Sequence, residues 1–131
     1  MRFLFCIIIF YSFSAFTHQP KLVNYSPSLS NPHIVIDPEI SKAYYSELKG
    51  QPHFYLIKSQ KDFLFYTGIL SPKTSESYEW LSLKVINENN EVIYHADGKK
   101  YEWFPWYEPY ARDWYWKGPE IGKDIEDVFK I

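Results

Sequence analysis

Trp80 to His95 reads WLSLKVINENNEVIYH. Leu81, Leu83 and Val85 recur at every second position, with Ser82 and Lys84 between them. A period of two is that of a strand with one buried face, not that of a helix. Glu88-Asn89-Asn90 supplies turn residues, and Glu91 to His95 (EVIYH) is a second β-branched and aromatic run. Asp97-Gly98 is the next turn signal. Upstream, Phe63 to Leu70 (FLFYTGIL) and Pro52 to Lys58 (PHFYLIK) are separated by the polar Gln60-Lys61-Asp62, and Ser71 to Ser75 reads as loop. Short apolar runs divided by turn residues every ~10 residues predict an all-β, antiparallel sandwich, jelly-roll-like or Ig-like. No amphipathic helix of ~10 residues with caps is visible. Phe54 to Ile57 and Phe63 to Tyr66 are apolar on both faces, which predicts strands covered on both sides. Leu81 to Ile86 alternates, which predicts one wet face. Asp124 to Lys130 fits one helical turn or a strand. The chain shows no internal repeat.

Toward the N-terminus the pattern gives way. His18 to Pro38 carries Pro20, Pro27, Pro32 and Pro38 among serines and asparagines. Each proline removes a donor and biases the preceding residue away from helix. Residues 18–40 are therefore expected to form an extended arm, with His33 to Ile36 as a short edge strand, ahead of a domain over 41–131. Met1-Arg2 precedes an uncharged run, Phe3 to Phe16 (FLFCIIIFYSFSAF). At ~1.5 Å per residue it is short for a bilayer span, and it matches a signal peptide's apolar core. Cleavage is expected after Thr17, with Ser14 as the rival site and an uncleaved anchor as the alternative. The protein is then secreted or held in the cell envelope, touching membrane only if that segment stays on. The single cysteine, Cys6, lies inside this run. Residues 18–131 carry none, which excludes thiol chemistry and Cys-ligated zinc there. Asn24-Tyr25-Ser26 is a glycosylation sequon.

Fourteen basic residues against sixteen acidic ones give a net charge of −2, which leaves no basic footprint for nucleic acid. The candidate site lies in Tyr101 to Trp116, YEWFPWYEPYARDWYW. Nine of these sixteen residues are aromatic, and they include four of the five tryptophans. Trp103, Trp106, Tyr107, Tyr110, Trp114 and Trp116 present flat apolar area, with Glu108 and Arg112 as hydrogen-bonding neighbours. Indole and phenol faces suit the C–H faces of sugars, and the same residue types dominate protein–protein hot spots. A glycan or a cell-surface protein is the expected partner. The competing reading is packing: each buried aromatic removes ~150–250 Å² from water, and a core without disulfides needs it. Trp114 and Trp116 should share a face, while Pro105 and Pro109 should break any regular element between them.

Catalytic motifs are missing. His18, His33, His53 and His95 show no metal-binding spacing, no Gly-x-Ser-x-Gly elbow occurs, and five scattered glycines make no phosphate loop. Asp113, Glu120 and Asp124 lack EF-hand spacing. No cofactor or metal is expected. Carboxylates are plentiful; Glu102 and Glu108 flank the aromatic segment, and glycoside hydrolysis needs two carboxyls ~5–9.5 Å apart.

Ser41 to Gly50 (SKAYYSELKG), Gln51 to Ile57 (QPHFYLI), FLFYTGILSPK and DGKKYEWFPWYEPYARDWYWKGPE resemble poorly characterised exported β-sandwich proteins. These are distantly similar to the pre-peptidase C-terminal-type modules appended to secreted peptidases. The likeness covers most of residues 40–120 and implies an exported sandwich, but supplies no functional residue. Such proteins continue past the position of Ile131 with another strand pair, so the chain is expected either to close its sheet here or to miss its last strands. The functional expectation is a non-catalytic binding or accessory module. A structural spacer in a larger exported assembly is the alternative, and a small glycoside hydrolase the third reading.

Overall fold

The computed structural model describes residues 18–74 and 80–122. The expected signal segment and the stretch Asp124 to Lys130 lie outside these residues. Within them the protein is nearly all β, with essentially no helix. The strands are β1 (Gln19–Leu22), β2 (His33–Val35), β3 (Lys42–Tyr45), β4 (Tyr55–Ile57), β5 (Thr67–Pro72), β6 (Leu83–Ile86), β7 (Val92–Ala96), β8 (Phe104–Glu108) and β9 (Asp113–Ile121). They form four small sheets: β1-β3, β2-β4, β5-β9-β8 and β6-β7.

The C-terminal half pairs antiparallel, as the alternation predicted. β6 alternates between half-buried and exposed residues, and its turn to β7 is set by Asn87. The Asn87 side-chain oxygen accepts the amides of Asn89 (3.0 Å) and Glu91 (2.9 Å), and Asn90 takes a positive φ of 61°. This is the local bonding that makes asparagine a turn residue.

The N-terminal half departs from the antiparallel expectation. β1 pairs with β3, and β2 with β4, in parallel register. The connections over 23–41 and 36–54 are long enough for parallel crossovers, which need a dozen residues or more. The expected arm is thus stitched to β3 and β4. Val23 donates its amide to the Tyr45 carbonyl (2.8 Å), and His33 to that of Phe54 (2.9 Å). Phe54 in turn donates to the Pro27 carbonyl (3.1 Å). The rings of His33, Tyr44 and Tyr55 meet at centroid distances of 5.2–5.6 Å and join the two parallel pairs.

Two further expectations are corrected. Phe63 to Tyr66 is not a strand covered on both sides. Phe63 and Phe65 pack edge-to-face at 6.3 Å, while Leu64 turns outward and is 77% exposed. Pro105 does not end β8 but sits inside it. β8 is an edge of its sheet, the place where a strand tolerates a residue without an N–H.

Among the described residues Val23, Ala96 and Ile121 are the buried hydrophobics, with Pro27 and Pro119 fully enclosed. The sheets meet through specific contacts. Tyr94 on β7 donates its hydroxyl to the Glu120 carbonyl on β9 (3.3 Å), and Trp103 donates its indole N–H to the Gly98 carbonyl (2.8 Å). Gly122, with φ +80°, closes against the Phe65 carbonyl, which a Cβ would meet at 2.1 Å.

Candidate functional site

The β5-β9-β8 sheet sorts the aromatic segment by pairing. Tyr107 lies opposite Trp114, Pro105 opposite Trp116, and Ser71 of β5 on the other side of Trp116. Cross-strand partners share a face, as do residues two apart along a strand. Lys73 continues the ladder one step past β5, its amide donating to the Trp114 carbonyl at 3.2 Å. One face therefore carries two rows. The first is Tyr107, Trp114 and Lys73; the second is Pro105, Trp116 and Ser71. The rings of Tyr107 and Trp114 meet edge-to-face, with centroids 5.6 Å apart and planes at 67°. Tyr107 is 45% exposed and Trp114 is 51% exposed, so both stay open to a ligand while holding each other. The Lys73 ammonium sits 5.1 Å from the Trp116 ring centroid and 5.9 Å from that of Trp114, within the ~6 Å reach of cation–π attraction.

The other candidate residues are elsewhere. Trp106 is on the opposite face, under the Lys117 ammonium at 5.5 Å. Glu108 shares that face. It is only 8% exposed, and its carboxylate accepts the Ala111 amide, pinning the β8–β9 loop. In that loop Tyr110 is exposed and Arg112 takes a positive φ of 54°. Trp103 packs on Gly118, whose missing Cβ would fall 2.1 Å from the ring. Tyr45 of β3 lies within electrostatic range of this segment. Burial pushes its phenol pKa up, and Glu108, Tyr115 and Tyr110 add to the shift. Burial likewise raises Tyr115, with Asp113 and Glu108 adding. The segment thus divides its rings: Trp103 is spent on packing, while Tyr107 and Trp114 stay half exposed.

Three features of the site carry no local sequence signal. Lys73 reads as loop, because nothing in its surroundings reveals the register of β5 on β9. Ser71 enters the platform row for the same reason. The third is a polar node below the sheet: Glu120 accepts the Tyr66 hydroxyl (3.0 Å) and the Lys117 ammonium (2.6 Å) on one oxygen, in a side chain only 5% exposed. Burial and the Glu120 hydrogen bond together push the Tyr66 pKa up to about 12.

A groove of about 280 Å³ between β1, β2 and β3 includes Lys21, His33, Lys42 and Tyr44 in its lining. Its polar groups are largely spent internally. Lys42 donates to the carbonyls of Asp37 (2.6 Å) and Ile40 (3.2 Å), and His33 bonds the Tyr25 hydroxyl (2.8 Å). Among the described residues no three His, Cys, Asp or Glu side chains gather as metal ligands, and no helix is long and apolar enough to cross a membrane. No protein-family model, curated protein or solved structure matches the chain.

Proposed function

We propose that this chain is an exported, non-catalytic module that binds glycan on the β8–β9 face, on a scaffold that completes a β-sandwich. The observation that carries the reading is the Tyr107–Trp114 pair, two half-exposed rings braced against each other across paired strands with Trp116 beside them. A ring locked by its neighbour loses little freedom when a sugar stacks on it, so the face is preorganised. The antiparallel β5-β9-β8 sheet and the Tyr94 bond from β7 to Glu120 on β9 support the sandwich. Hydrolysis finds no support in the carboxylates. Glu108 is buried and committed to the loop amide, so Glu102 lacks a free partner there.

The test is retention of the full chain on insoluble polysaccharides: cellulose, chitin, xylan and a pectin. Trp114→Ala is expected to weaken retention about tenfold or more, which corresponds to ~1.4 kcal/mol, with an unchanged circular dichroism spectrum. Binding unaffected by Trp114→Ala and by Tyr107→Ala would overturn the assignment of the face. If no polysaccharide is retained, the module serves as a structural spacer or docks a protein.

A further inference from the structure

We infer that the platform selects acidic glycans, sugars bearing carboxylate groups, and that Lys73 makes the selection. This rests on the glycan reading of the same face. Lys73 is held there by its backbone, through the amide bond to Trp114, so its side chain is presented between the two indoles. Four other lysines are engaged with oxygen: Lys49 pairs with Glu47, Lys100 with Asp97 and Lys117 with Glu120, and Lys42 donates to two carbonyls. Lys99 lies over a single ring, that of Trp80, whereas Lys73 reaches two. Among the described residues Lys73 makes no ion pair. Its ammonium meets only ring faces.

Ring faces attract a cation without neutralising it. They also help fix its position. A neutral sugar stacking on Trp114 and Trp116 gains nothing specific from that charge. A uronate ring gains a carboxylate–ammonium contact at the edge of the stack, a charge-assisted bond stronger than a neutral one. Ser71 beside Trp116 is buried, so the ammonium is the group left to face an anion.

Polygalacturonate and its fully methyl-esterified form have the same backbone and differ in charge. Titration calorimetry of the full chain against both is expected to show about tenfold tighter binding to the acid form, with the preference falling as salt rises. Lys73→Gln should erase the difference between the acid form and the ester. Lys21→Gln, which removes one charge on β1, should keep the preference. Trp114→Ala should weaken both polymers. Equal affinity for acid and ester, or a preference that survives Lys73→Gln, overturns the inference while leaving the platform standing. Failure of both pectins while a neutral polysaccharide binds does the same. Failure of every polysaccharide overturns both.

Discussion

At Gly118 a hydrogen is the largest substituent the fold accepts. The Trp103 ring occupies the space a Cβ would need, at 2.1–2.5 Å. Neither side can yield cheaply, because the indole N–H is tied to the Gly98 carbonyl and Gly118 lies inside β9. Gly118→Ala should therefore cost about 1–3 kcal/mol, the range for overpacking a filled site. Urea denaturation would show it as a lower midpoint with an unchanged slope. A midpoint equal to that of the parent would mean the ring is not seated there. This contact also marks the limit of reading at the residue scale. The aromatic richness of 101–116 and the shared face of Trp114 and Trp116 follow from spacing alone. That Trp103 is spent on packing while Tyr107 is not depends on which residue of β9 lies beneath each ring. Register is a long-range property, and local sequence does not display it.

At the element scale, what was legible was alternation. β6 and β7 form at the expected runs because a period of two with a turn between leaves few other solutions. The parallel pairs were not legible: a three- or four-residue strand reads alike in either direction, and only the connection decides. β5 starts later than its apolar run, at Thr67 rather than Phe63, because the preceding residues are used to clamp β9. Tyr66 and Gly122 are the two ends of that clamp, through the hydroxyl bond to Glu120 and the close approach to Phe65. The clamp has a titration signature. Tyr66 ionises at about 12 in the fold, against 10.0 for an unperturbed phenol. Its neutral form is the one the fold favours, so its contribution is complete below pH 10. It erodes as the unfolded chain ionises first and is lost once pH passes 12. Absorbance at 295 nm should show a late-titrating tyrosinate that Tyr66→Phe removes. If the same late step persists in that variant, the clamp has been misassigned.

The whole molecule is a set of small sheets with few enclosed apolar residues and several large ones at the surface, Leu64, Trp80 and Trp114 among them. Scattered apolar residues on a surface are ordinary, whereas rings collected in rows on one sheet face are not. The all-β class could be read from the chain. The division into four sheets could not, since it depends on long connections and on contacts such as Tyr94 on Glu120 that join residues far apart in sequence. The arrangement makes the tryptophans unequal reporters. Trp80 is 68% exposed and lies under the Lys99 ammonium, far along the chain from β9, while Trp114 opens on the platform. Emission from the folded protein should contain a red-shifted fraction that iodide quenches, reduced by Trp80→Ala and by Trp114→Ala separately. A saturating acidic polysaccharide should protect the Trp114 share and leave the Trp80 share quenchable. At ~100 times its dissociation constant, such a ligand adds ~2.7 kcal/mol of stability, so the melting temperature should rise with it by several degrees. Uniformly blue, protected emission would place Trp114 in the core and remove the platform. Protection of Trp80 alone would move the ligand to the surroundings of Trp80 and Lys99. Loss of the quenchable Trp114 share on binding, together with the rise in melting temperature, is the outcome expected of the proposed glycan face.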